Sequence, residues 1–211
     1  MSDFTQALRQ LNGITWDAIA SRRDKLTGQK VVVPPMQPLQ QELIESRFSE
    51  TFPVLDHLES ALVLAGEHEL AEIAQGFAAV VGELRWSQNP AYDETTCSRD
   101  LLDGYAYAAF TGPDAPIRCS VPRGGLMIMA PGLTYPGHHH EPREVYLVMT
   151  PGAQWQLDEG DWFDVQAGDM IFHDSWQTHS MRSGSEPFLA FVAWVESGIR
   201  QHVGWSDRRH D

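Results

Sequence analysis

The chain reads as mainly β: a closed antiparallel barrel or jelly roll with an α-helical N-terminal extension. Three observations predict this. From about Tyr105 onward, short β-rich runs recur at close intervals, and Gly and Pro punctuate them. Before about residue 90 the apolar residues instead follow helical spacing. Within the β-rich part, histidines and a carboxylate recur at even spacing, as side chains do when they share one face of a strand.

The helical part is expected over residues 1–90. Leu70, Ile73, Ala74, Phe77, Ala78, Val81 and Leu84 follow the i, i+3, i+4, i+7 rule of an amphipathic helix. Leu55, Leu58, Leu62 and Leu64 predict a preceding helix that ends at Gly66. Gln37 to Phe48 is a third helical candidate, and an extended stretch from Val31 to Pro35 separates it from an N-terminal helix around Phe4 to Leu11. This half carries no catalytic constellation, and His57 and His68 read as solvated or capping residues. Its expected role is to cover the barrel or to join two subunits, so a homodimer is compatible with its apolar faces. No basic recognition helix suggests a nucleic-acid reader.

Residues 91–211 are assigned to the barrel, and Arg85 to Gly104 reads as a polar connector. The expected strands are Tyr105–Phe110, Ile117–Val121, Leu126–Met129, Val145–Thr150, Gln154–Leu157, Trp162–Val165, Met170–Phe172 and Phe188–Val195. The turns include Gly112-Pro113, Gly124-Gly125, Pro131-Gly132, Pro136-Gly137, Pro151-Gly152 and Gly168.

Composition narrows the partners. A chain of 211 residues fits one domain with an elaborated end. A hydrophobic content of 42% and a charged content of 21% are those of a globular protein. No run of about 18 apolar residues suggests a membrane span, and the first residues, Met1 to Gln6, do not resemble a secretory signal. Two cysteines, Cys97 and Cys119, without metal or redox spacing fit free thiols in a reducing cytoplasm. A net charge of −14 disfavours nucleic acid and anionic membrane surfaces and is compatible with a cationic or zwitterionic small molecule.

The richest stretch is His138-His139-His140-Glu141-Pro142-Arg143-Glu144-Val145-Tyr146, with a distant His179. His138 and His140 share parity on one strand, and Glu144 and Tyr146 share it on the next. Three imidazoles and one carboxylate are the usual ligands of a divalent transition metal: Fe(II), Mn(II) or Zn(II). Tyr146 then points into the same cavity one step deeper. A phenol has a pKa near ~10, but a neighbouring cation favours its phenolate, so Tyr146 is a candidate base. Core packing is the equally weighted alternative. Tyr135 could place a second hydroxyl at the mouth. Trp155, Trp176 and Trp194 belong to an aromatic cluster whose inward members would bind a cationic group. His173 lies off the ligand pattern, so a supporting role is favoured over ligation. Periodicity leaves open which face of Phe188–Val195 lines the cavity.

Gly132, His138-x-His140, Glu144, the Gly168-Asp169 turn and His179 together resemble the paired motifs of the cupin superfamily. Gly152 stands one residue late, and Gln166-Ala167 replaces the usual Pro in the turn. These departures loosen loop geometry and spare all four ligands. The larger combination of Tyr135, His138, His140, Glu144, Tyr146, His179 and Trp194 is similar to the bacterial cupin-type dimethylsulfoniopropionate (DMSP) lyases of the DddQ and DddL type. The likeness runs through most of residues 84–196.

That resemblance implies a cupin (double-stranded β-helix) barrel and β-elimination of DMSP to dimethyl sulfide and acrylate. It implies metal ligands at His140, Glu144 and His179, with His138 as the first His of the motif, a catalytic base at Tyr146 that is sometimes drawn as a metal ligand, and pocket residues at Tyr135 and Trp194. Two other classes stay open. One is a different metal-dependent cupin enzyme, either a lyase or isomerase on a related carboxylate or a ferrous dioxygenase. The other is a non-catalytic cupin that binds a small molecule.

Overall fold

The computed structural model describes residues 3–22, 51–120 and 122–195, with the backbone of 203–205. The expected extended stretch at Val31 to Pro35 and helix at Gln37 to Phe48 lie outside the described residues.

Helix α1 spans Asp3–Arg22 and runs well past Leu11. Gly13 and the β-branched Thr15 are weak helix formers, but Leu8, Leu11, Thr15, Trp16 and Ile19 form one buried stripe that continues through them. Tertiary burial outweighs local propensity here. The Trp16 ring meets Phe191 edge to face, with centroids 5.5 Å apart. A 3-10 turn at Pro53–His57 leads into α2, Leu58–Gly66. Helix α3, Ala71–Val80, buries Ile73, Ala74, Phe77 and Val80. Gly76 faces Leu11 so closely that a Cβ there would lie 2.9 Å from Leu11 Cδ1, so the glycine permits the tight α1–α3 approach. The expected continuation of α3 becomes a 3-10 turn at Val81–Glu83, while Leu84 stays buried.

The connector contains more structure than its polarity suggests. A two-residue strand β1, Trp86–Ser87, pairs with the first long strand. A short helix α4, Arg99–Gly104, starts at Ser98, whose hydroxyl accepts from the Leu101 N–H.

The barrel strands follow in order: β2 Tyr105–Gly112, β3 Ile117–Arg118, β4 Arg123–Met129, β5 Thr134–His140, β6 Glu144–Val148, β7 Ala153–Leu157, β8 Phe163–Val165, β9 Met170–His173, β10 His179–Arg182, β11 Phe188–Trp194 and β12 Val203–Trp205. They form two sheets. One runs β1-β2-β4-β11-β6-β9, with β3 beside β2, and the other runs β12-β5-β10-β7-β8.

The larger sheet is buried on both faces, so its strands read as continuous apolar runs. Its outer face carries Ala106, Ala108, Phe110, Leu126, Ile128, Val145, Leu147, Leu189, Phe191 and Ala193, packed with the buried residues of α1, α2 and α3. Its inner face carries Tyr105, Met127, Met129, Tyr146, Val148, Ile171, Phe188, Ala190 and Val192, which meet Tyr135, Trp155, Val165 and Met181 of the second sheet. The face of β11 that lines the interior is therefore that of Ala190 and Val192. Among the described residues no helix is long and apolar enough to cross a membrane.

Phe77 is fully buried and meets Phe110 edge to face at 5.6 Å, joining the helical layer to the sheet. Phe77→Ala is expected to cost about 3–5 kcal/mol. Urea denaturation measures it, and a loss below about 1 kcal/mol would contradict the claim that the helices share the barrel's outer core.

Candidate metal centre

His138 and His140 stand on the inner face of β5, Glu144 begins β6, and His179 begins β10, directly opposite His138 in the β5–β10 register. All four are buried. The nitrogens of His138, His140 and His179 form one compact group, and Glu144, His173 and His179 form a second that shares His179. Among the described residues the two groups make one cluster.

Local backbone bonds aim the three imidazoles. His138 Nδ1 lies 3.1 Å from the Pro136 carbonyl, His140 Nδ1 2.8 Å from that of Pro142, and His179 Nδ1 3.0 Å from that of Gln177. A carbonyl only accepts, so each Nδ1 carries its proton, and a neutral ring then offers an Nε2 lone pair. The Nε2 atoms of His140 and His179 face Glu144. His140 Nε2 is 3.2 Å and His179 Nε2 3.4 Å from Oε2. The His179 Nε2 atom is buried and has no hydrogen-bond partner. An unpartnered imidazole nitrogen beside a carboxylate oxygen in a dry interior suits a cation, and once His140 gives up its proton the donor set suits a divalent transition metal.

The other sides of Glu144 are clamped. Trp194 Nε1 donates to Oε1 at 2.8 Å from the inner face of β11. His173 Nδ1 lies 3.0 Å from Oε2, from the residue paired with Glu144 in the β6–β9 register. Burial alone would raise the carboxyl pKa. The His140 charge and the close approach of the His140, His173 and His179 rings outweigh it and hold Glu144 well below the usual carboxylate range.

Tyr135 reaches the interior through a β-bulge. In the β5–β10 ladder, His138 pairs with His179 but Tyr135 pairs with Met181, so two residues on β5 oppose one on β10. Pro136-Gly137 absorbs the extra residue, and the Tyr135 ring lands 4.7 Å from that of His138 despite odd spacing. Tyr135 donates to the Tyr92 hydroxyl at 3.0 Å, and Tyr105 packs on Tyr135 at 5.0 Å. Tyr146 is buried on the inner face of β6, with its hydroxyl 3.6 Å from Met127 Sδ and its ring against Trp155 and His173. Burial first, then the Glu144 charge, pushes its phenol well above the ordinary value.

The other tryptophans occupy different surroundings. Trp155 is fully buried, and its indole donates to His173 Nε2 at 2.9 Å. Trp176 is 50% exposed, adopts φ +63°, and packs on His139, which has the opposite parity to His138 and His140. Sequence reasoning did not single out Tyr92, Tyr105 or the Trp155–His173 bond. Tyr92 lay in a connector read as polar, and the bond depends on strand register.

A family model for dimethylsulfoniopropionate lyases matches residues 29–190. The chain belongs to the DMSP lyase family. Among curated proteins it is similar to DMSP lyase DddQ of Ruegeria pomeroyi, 27% identical over 124 residues, covering 59% of this chain and 61% of that protein. It is also similar to the proposed DMSP lyase DddL of Cereibacter sphaeroides, 30% identical over 158 residues, covering 74% of this chain and 65% of that one. The matches thus span somewhat under two thirds of each relative's length. The fold agrees with the crystal structure of DddQ from Ruegeria pomeroyi DSS-3, with a TM-score of 0.73 at 20% identity over 97% of this chain and 98% of that one. It also agrees with a chain from the crystal structures of the DMSP lyases RdDddP and RnDddQII, with a TM-score of 0.72 at 22% identity over 97% of this chain and the whole of that one. The barrel with its helical extension is therefore the family's fold.

Protonation sets a pH dependence for metal uptake by this family member. Burial lowers His138 well below its usual value and lowers His179 to about 4, so both rings are neutral near pH 7. His140 differs. Burial lowers it, but the Glu144 carboxylate outweighs burial and raises it above 6.5. The ion pair with Glu144 is fully present below the unfolded histidine pKa and is lost as pH rises through the raised value. A metal must displace that proton. Apparent zinc affinity of metal-free protein, measured by chelator competition from pH 6 to 8, is expected to rise with pH. A flat profile would contradict the assignment of His140 as the protonated ring.

Proposed function

We propose that the chain is a metal-dependent lyase that cleaves DMSP by β-elimination to dimethyl sulfide and acrylate. One observation carries this reading. The side-chain nitrogens of His138, His140 and His179 form one buried group, the Glu144 carboxylate lies 3.2 Å from His140 Nε2 and 3.4 Å from His179 Nε2, and Tyr146 is next along the same inner face. Family membership supports it.

In this reading His138, His140, Glu144 and His179 hold one divalent cation. Such a cation supplies Lewis acidity for negative charge developing beside it and favours the phenolate of a nearby tyrosine. Tyr146 takes the proton from the carbon next to the substrate carboxylate. The electron pair of that C–H bond becomes the C=C bond of acrylate. The bond between the β-carbon and sulfur breaks, and its pair leaves with sulfur as neutral dimethyl sulfide. A sulfonium needs no acid to leave. Aromatic faces suit its positive charge, and Trp194 and the Tyr92–Tyr105–Tyr135 cluster are the aromatic groups next to the ligand side chains. The Tyr135–Tyr92 hydroxyl pair would position substrate.

The main alternative is another metal-dependent cupin reaction on a related carboxylate, with DMSP cleavage as a side activity. Headspace gas chromatography for dimethyl sulfide, with DMSP and added Fe(II), Mn(II) or Zn(II), separates the two. Rapid release that a chelator abolishes supports the lyase, and trace release with every metal would contradict it. Tyr146→Phe is expected to keep its metal and lose about 10²–10⁴-fold in turnover. Unchanged turnover would remove Tyr146 as the base. His140→Ala is expected to lose metal as well as activity.

A further inference from the structure

His173 is fully buried, belongs to the second ligand-like group, and has both ring nitrogens engaged. Its role follows from its neighbours' chemistry. An indole N–H donates and never accepts. Trp155 Nε1 lies 2.9 Å from His173 Nε2, so Nε2 must present a lone pair. The ring proton then resides on Nδ1, where it points at Glu144 Oε2, 3.0 Å away. If His173 ligated a metal through Nδ1, its proton would move to Nε2 and meet the indole N–H head on. The structure gives that proton no acceptor.

Ring geometry argues the same way. His173 stacks on His179 with centroids 3.7 Å apart and planes inclined by 20°. A nitrogen lone pair lies in its ring plane. A cation in the plane of His179 therefore lies off the plane of His173, which presents it with a π-face.

We propose that Trp155 and His173 are positioning residues for Glu144. Trp155 sets the His173 tautomer, and the His173 Nδ1–H holds Glu144 Oε2 in the direction that completes the ligand set, without ligation by His173. This rests on the reading of Glu144 as a metal ligand. Glu144 is then oriented by two N–H donors on separate strands, Trp194 on Oε1 and His173 on Oε2. Such supporting bonds typically change metal affinity about 10–100-fold.

The test uses the full chain. Long-range proton–nitrogen NMR of metal-free protein labelled at histidine nitrogens should show His173 protonated at Nδ1 and bare at Nε2, with the signal assigned by its loss in His173→Asn. In Trp155→Phe the pattern should become mixed or reversed. Zinc affinity by dye competition provides the second readout. An Asn amide can stand where Nδ1 does and donate to Glu144, so His173→Asn should remain within about threefold of the parent, whereas His173→Leu should weaken binding about 10–100-fold. A His173 protonated at Nε2, or equal losses in Asn and Leu variants that melt like the parent, would overturn the proposal. If the parent takes up no zinc, the metal reading fails, and the NMR pattern still decides the His173 tautomer.

Discussion

The centre of this molecule depends on one buried carboxylate. Glu144 is almost wholly removed from water, yet it is held ionised. Desolvating a carboxylate costs several kcal/mol unless donors and counter-charge replace its hydration. Four elements replace it. Trp194 of β11 and His173 of β9 donate to its two oxygens, while His140 of β5 and His179 of β10 bring nitrogens to Oε2. Both sheets are thus anchored on one side chain. The same low-polarity interior that makes Glu144 costly to bury strengthens its pull on any cation placed among those nitrogens.

The helices contribute indirectly. By covering the outer face of the larger sheet, they leave its inner face to aromatic and ligand side chains. The sheet is then packed on both sides, which fixes its strand register and sets His173 opposite Glu144, while the β5–β10 register of the second sheet sets His179 opposite His138. A one-residue slip would turn each of these side chains away from the cluster.

Much of this was legible in the sequence. Even spacing placed His138 with His140 and Glu144 with Tyr146, and the structure keeps both pairs on the inner face. Other features depend on information that local patterns lack. Tyr135 is odd-numbered relative to His138 and joins it only because a bulge at Pro136-Gly137 takes up a residue. The inner face of β11 could not be chosen because both of its faces are apolar and both are buried. Trp155 and His173 meet across strands, so their bond has no sequence spacing to betray it. Helix α1 continues beyond Leu11 because packing on Phe191 and α3 overrides a glycine and a β-branched residue. Trp176 sits outside because its left-handed backbone turns it onto His139.

The central claim is that three imidazoles and one carboxylate converge on one metal. X-ray absorption fine structure of the zinc-loaded protein reads this directly. The account expects three nitrogen scatterers with the outer-ring signature of imidazole and one carboxylate oxygen, all at about 2.0–2.2 Å. Fewer than three imidazoles, or a fourth imidazole in place of the carboxylate, would contradict it.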